Sequence, residues 1–223
     1  MGEVDAPFTD PRAGPSGSLS SAAMSLPVAH ALVGGAILAT FRPRLDFCSP
    51  RVALAAAMLL PVVPDFDFAF VWFLGLPVTV WHRTFTHSLL FSMALGLLAA
   101  LWVRRRGVGT PRAAFGFVTA LVLSHAVVDM CGHGHGTPGR GVMLFWPAWQ
   151  KYLALPWQFL PPGRHGHPEV YLRTALIEFA LLAPALWAYV RALAWWRARP
   201  ATVTPQDTAE TLPQPAPGAA TNS

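Results

Sequence analysis

Acidic side chains are scarce in this chain of 223 residues, with 11 Asp and Glu in all, and 15 of the 16 basic residues are arginine. Charged residues make up only 12% against 53% hydrophobic. A soluble domain carries about 25% charged residues, twice the share found in this chain. The two cysteines, Cys48 and Cys131, form no CxxC pair, which argues against both a disulfide framework and a thiolate zinc site. No GxSxG or Walker pattern occurs, and a serine nucleophile has no support. The first 23 residues lack a basic start followed by an apolar run, and no secretory signal is read there.

What is present is a series of apolar runs closed by arginine. Residues 1–23, rich in Gly, Ser, Pro and Ala, read as a disordered tail, with Met24 as a second candidate start. The runs Val28–Phe41 and Val52–Val63 are each shorter than the ~20 residues of a full span. The second is expected to stop at Pro64-Asp65. Phe68–Trp81, broken by Gly75 and Pro77, reads as interfacial or re-entrant. Ser88–Val103, Ala113–Met130 and Val170–Trp196 read as membrane helices. Residues 131–169 form a Gly-, Pro-, His- and Trp-rich loop, and 200–223 a second disordered tail. The fold class is therefore all-α: a polytopic membrane helical bundle over 24–199.

Placing the arginines in the cytoplasm orders the polar residues. Arg42, Arg44, Arg51, Arg104, Arg105, Arg106, Arg112, Arg191, Arg197 and Arg199 fall on one side. His30, Asp65, Asp67, His82, His87, His125 and Asp129 all fall toward the other. At ~1.5 Å per residue, His125 lies about 20 Å along its helix from Arg112, at the outer edge of the hydrocarbon layer. Arginine at the ends of apolar runs fits membrane anchoring better than nucleic acid, and no direct nucleic-acid binding is expected.

Four motifs carry the chemistry. His125 and Asp129, spaced i, i+4, project from one helical face; imidazole with carboxylate suits zinc or another divalent ion, and the pair alone equally suits a hydrogen-bonded helix pair without metal. Pro64-Asp65-Phe66-Asp67 sets two carboxylates at a helix C-terminus, against the dipole, where a bound cation would offset the repulsion. His82-Arg83-Thr84-Phe85-Thr86-His87 is expected to open the next helix, with Thr84 or Thr86 as N-cap, His87 on the helix as ligand, and Arg83 as either an anion holder or an interfacial anchor. His30 gains weight from sharing the face of the others. His133, His135, His165 and His167 read as exposed loop histidines, one of them a candidate for a second metal position. Glu178 lies mid-membrane, with a pair to Arg173 and an approach to the site both open to it. Leu144-Phe145-Trp146-Pro147-Ala148-Trp149 reads as an interfacial belt.

These motifs in this order resemble the YdjM-type bacterial inner-membrane proteins, from Met24 to Trp157. The resemblance implies a multi-pass inner-membrane protein and predicted metal-dependent hydrolase, distantly related to zinc-dependent phospholipase C. It implies ligand roles for His30, Asp65, His87, His125 and Asp129, with one or two divalent ions, zinc foremost. Thr84 stands where the family's HRG-type motif has glycine. The expected function is hydrolysis of a phosphoester, lipid-derived ones included, at the outer membrane face, with Arg83 on the developing charge and Asp67 orienting or bridging. The expected partners are membrane lipids and this substrate. The alternatives are a non-enzymatic membrane regulator or partner-binding protein with a structural metal, and an ion or proton transporter.

Overall fold

The computed structural model of the chain describes residues 27–76, 81–132, 141–156, 160 and 168–199. Both tails, with Met24, and His133, His135, His165 and His167 lie outside the described residues. The described elements are helical. Among the described residues six α-helices run in order: α1 (Pro27–Phe41), α2 (Pro50–Leu59), α3 (Asp67–Phe73), α4 (Leu89–Arg106), α5 (Pro111–Met130) and α6 (Pro168–Arg197). Three 3₁₀ turns, Arg42–Arg44, Leu60–Phe66 and Phe85–His87, join them.

Local chemistry sets the ends. Ser49 caps α2, its hydroxyl accepting from the Val52 N–H, and Pro50 takes the first helical position, where a missing N–H costs nothing. Ser88 caps α4 by accepting from the Phe91 N–H at 3.1 Å. That helix closes on Gly107 in the left-handed region (φ 64°), after three arginines that favour the negative end of the dipole.

The expected stop at Pro64-Asp65 does not occur. The 3₁₀ turn tolerates Pro64, and helical structure continues from Pro50 to Phe73, a stretch of 24 residues long and apolar enough to cross a membrane. Pro111–Met130 and Glu169–Arg197 are equally capable by length and composition. Helix α1 is too short at 15 residues, and α4, 18 residues long, closes on three arginines, so neither matches those three in length and composition together.

Helix α5 sits at the centre, against α1, α4 and the Leu60–Phe66 turn, while α6 leans on α1 from outside. Phe117 and Leu121 of α5 join Ala57 of α2 in one core cluster. Close approach depends on missing Cβ atoms: Gly34 of α1 abuts the Ala57 carbonyl, and Gly96 of α4 abuts Thr119 and Phe115 of α5. The outward faces are apolar. Leu54, Met58, Leu97, Leu98, Leu176 and Trp187 are all more than half exposed, which is the surface of a protein solvated by lipid.

The two ends of the bundle are chemically distinct. At one end, Arg197 donates to the carbonyls of Ala39 and Thr40 at the close of α1, and Asp46 holds Thr110 at the start of α5. These contacts gather the arginine-rich turns at a single end. At the other end, the start of α1, the Leu60–Phe66 turn, the Phe85–His87 turn and the close of α5 meet.

A candidate metal centre

Two turns and one helix deliver the four donors. His125 and Asp129 come from the last turns of α5, buried to 0% and 3% exposure. Asp65 comes from the Leu60–Phe66 turn. His87, expected on a helix, lies instead in the 3₁₀ turn before α4, and neither Thr84 nor Thr86 caps that helix; Ser88 does. The reason is that Arg83 takes a left-handed conformation (φ 67°) and turns the chain back before helical structure can begin. The positive φ falls on Arg83, one residue before the threonine that replaces the family glycine; Thr84 has φ −104°.

Residues 141–156 hold this turn against α5. Leu144 accepts from the Leu89 N–H at 2.8 Å, which satisfies an orphan donor at the start of α4. The Met143 N–H donates to the Arg83 carbonyl at 2.9 Å, and the Leu155 N–H to the Met130 carbonyl at 3.0 Å. Phe145 and Trp149 are part-exposed beside it.

Asp65, His87, His125 and Asp129 each turn one donor atom to a common point. His125 Nε2 lies 3.0 Å from His87 Nε2, 3.3 Å from Asp65 Oδ1 and 3.4 Å from Asp129 Oδ2. His87 Nε2 lies 3.5 Å from Asp129 Oδ2 and 3.7 Å from Asp65 Oδ1. Zinc bonds of ~2.0–2.2 Å in a tetrahedron require ligand–ligand edges of about 3.3–3.6 Å. Five of the six edges therefore sit in or near that range.

Hydrogen bonds behind the rings fix which nitrogen faces inward. His125 Nδ1 donates to the Pro61 carbonyl at 2.6 Å. In a 3₁₀ turn that carbonyl would accept from residue 64, which is proline and has no N–H, so it is free for the imidazole. Asp67 Oδ2 accepts from the Thr86 hydroxyl at 2.8 Å, and that hydroxyl accepts from His87 Nδ1 at 3.0 Å. Both Nδ1 atoms thus carry the proton and both Nε2 lone pairs point at the cluster. Asp67 Oδ1 also accepts from His82 Nδ1 at 2.8 Å. Burial pushes the His82 pKa down, opposed by that bond to Asp67.

Two lone pairs 3.0 Å apart, beside two carboxylate oxygens, repel one another unless a cation lies between them. Asp65 Oδ1 is buried and makes no hydrogen bond among the described residues. A proton on one Nε2 would satisfy a single contact, whereas a metal ion satisfies all four. The donor set therefore fits a divalent ion of the zinc type.

The remaining expected residues stand around this group. His30 is not one of the four: its ring stacks on His125 at 4.2 Å between centroids, and its Nε2 lies 3.8 Å from Asp129 Oδ1, the oxygen turned away from the other donors. Arg83 Nε lies 3.5 Å from Asp129 Oδ2. Asp67, His82 and His87 form a second, overlapping group of three able to hold an ion. Glu178, left open by the sequence, reaches across from α6 and accepts from the Ala29 N–H at 3.1 Å, one residue from His30. The contributions of Thr86 and of the Pro61 carbonyl were not legible in advance. Threonine in a His-x-x-x-Thr-His run reads as a cap, and no sequence signal marks a carbonyl, although a proline three residues ahead is a clue to its freedom.

The fold and the site together define a polytopic membrane protein with a buried His/Asp centre able to hold a metal ion at one end of its helices. The comparisons with known proteins agree on the membrane part. A family model described as YdjM inner membrane protein matches residues 24–203, and the chain belongs to that family. The inner membrane is its location. Among curated proteins, Inner membrane protein YbcI of Escherichia coli (strain K12) is 28% identical over 154 residues, which cover 67% of this chain and 86% of that protein. No solved structure matches the chain.

Proposed function

We propose that the protein is a metal-dependent hydrolase of phosphoesters, acting at the membrane face opposite the arginine turns. The observation that carries this reading is the set of two inward lone pairs and two carboxylates at tetrahedral spacing, backed by hydrogen bonds that hold both imidazoles in the ligating tautomer. When bound, a divalent ion supplies Lewis acidity, polarising a phosphoryl oxygen and lowering the pKa of water. Asp65, His87, His125 and Asp129 hold the ion, and zinc suits the donor set best. Asp67 positions His87 through Thr86. His30 supports His125 by stacking and faces Asp129.

Exposure indicates the side from which substrate arrives. The Asp65 side chain is 16% exposed and Arg83 12%, while both imidazoles are at 0%. Arg83 therefore stands at the entrance, where its guanidinium binds a phosphoryl group and stabilises its developing charge. Exposed Phe66 and Phe85 flank the same entrance, and an amphiphilic phosphoester suits that border.

The full-length protein, purified in detergent and loaded with zinc, should hydrolyse a chromogenic phosphodiester in a chelator-sensitive reaction. His125→Ala should abolish that reaction. Arg83→Ala should keep the metal but raise KM or lower kcat, and lysine there should restore only part, lacking the planar fork. A fully zinc-loaded protein with no turnover on phosphomonoesters or phosphodiesters would overturn the reading.

One observation favours a second reading, a structural metal in a membrane regulator. Four protein donors close a tetrahedral shell, whereas catalytic zinc sites usually keep one position for water. The two readings differ in exchangeability: a structural ion resists a mild chelator, while an ion open on the Asp65 side exchanges readily.

A further inference from the structure

The arginine end carries a cleft in which the metal centre has no part. It opens between the α1–α2 turn and the start of α5, with a volume of about 430 Å³, and is lined by Phe41, Pro43, Arg44, Asp46, Thr110 and Arg112. Clefts of this size hold small ligands.

Its polar groups are of both signs. Arg44 and Arg112 make no ion pair among the described residues. Asp46 is fixed in place: Oδ1 accepts from the Thr110 N–H at 3.0 Å and Oδ2 from the Thr110 hydroxyl at 2.9 Å. Each carboxylate oxygen keeps further lone-pair capacity. A simple anion in the cleft would be opposed by Asp46, and a simple cation by the two arginines. A zwitterion with phosphate and ammonium a few ångströms apart meets both.

The position of the cleft identifies the carrier of that zwitterion. At the same end of the bundle, Arg106 lies 5.8 Å above the Trp102 ring and Arg199 3.6 Å above the Trp195 ring. Such aromatic–arginine pairs mark the headgroup level of a bilayer. Phe41 gives the cleft an apolar wall where a lipid chain would begin.

We propose that this cleft seats the headgroup of an amine-bearing phospholipid, with its phosphate on Arg44 and Arg112 and its ammonium on the outer edge of Asp46. Basic pockets between membrane helices are established sites for lipid headgroups; the fixed carboxylate adds selection for a primary amine. This site is independent of the metal centre.

Native mass spectrometry of the full chain tests it. Detergent-purified protein is mixed with equal amounts of phosphatidylethanolamine, phosphatidylcholine and phosphatidylglycerol. The wild type should retain phosphatidylethanolamine several-fold over the other two, because the quaternary amine offers no N–H donor and glycerol no charge. The R44Q/R112Q variant should lose this excess, while R104Q/R105Q, off the cleft, should keep it. Soluble phosphoethanolamine at equal concentration should not displace the lipid. Equal retention of the three lipids, a preference for phosphatidylglycerol or phosphatidylcholine, displacement by free phosphoethanolamine, or an equal loss in R104Q/R105Q would each overturn the proposal. Should R44Q/R112Q fail to fold, the wild-type lipid panel and the R104Q/R105Q control still decide.

Discussion

Thr86→Val isolates the hydrogen-bond relay behind the metal centre. Valine matches threonine in shape, so the turn keeps its packing, but the hydroxyl that joins Asp67 Oδ2 (2.8 Å) to His87 Nδ1 (3.0 Å) is lost. Without it the carboxylate and the ring nitrogen are 3.7 Å apart, too far for a hydrogen bond. A hydrogen bond to a charged group is worth about 1.5–3 kcal/mol. Partners behind metal-bound histidine typically contribute about 10–100-fold in affinity, or about 1.4–2.7 kcal/mol. Because Asp67 stays anchored by His82 at 2.8 Å and can relax toward His87, the loss should fall near the tenfold end. Zinc affinity measured by competition with a chromophoric chelator reads it directly, with far-UV circular dichroism to confirm helix content. Thr86→Ser, which keeps the hydroxyl, should bind zinc almost as the wild type does. Wild-type affinity in Thr86→Val, or a serine variant as weak as valine, would refute the relay.

Single removal of His87, His125, Asp65 or Asp129 by alanine should lower zinc content sharply, and a second removal should add less than the first, since the four act as a unit; metal analysis of single and double variants checks this. Gly96→Ala should lower the thermal midpoint by an amount corresponding to about 1–3 kcal/mol, as its Cβ would meet Phe115 and Thr119 across the α4–α5 contact, and a midpoint unchanged from wild type would contradict that contact. Asp46 has its pKa lowered, chiefly by the Thr110 backbone N–H and then by the Thr110 hydroxyl. Its contribution to stability is therefore present above the ordinary carboxylate value of ~3.9 and is lost as pH falls through the lowered one; the acid limb of a melting-temperature profile should be shallower in Asp46→Asn. Cysteine introduced at Arg105 and at Phe145 should label from opposite sides of the membrane, and native Cys48 and Cys131, both free thiols, should not crosslink; labelling of both sites from one side would contradict the placement of the metal centre.

The all-helical class, the arginine-marked end and the gathering of His30, Asp65, His87, His125 and Asp129 at the other end were legible in the amino-acid order. Apolar runs must hide their backbone groups in helices within lipid, and arginine at one end of each run orients them all. The i, i+4 spacing of His125 and Asp129 likewise follows from helical geometry. Other features depended on the tertiary structure. The order of residues suggests a stop at Pro64-Asp65, but a 3₁₀ turn absorbs the proline, and the carbonyl its missing N–H leaves free is the partner of His125. A threonine cap would put His87 on the next helix; the left-handed turn at Arg83, held by the Met143 N–H from 60 positions later, puts it in a turn instead and gives Thr86 to Asp67. The exclusion of His30 from the four-donor group, and the reach of Glu178 to Ala29 across 149 residues, were likewise decided by packing. Local order sets which residues share an end of the bundle. Which atoms meet there is set by distant backbone groups, and neither spacing nor composition encodes those.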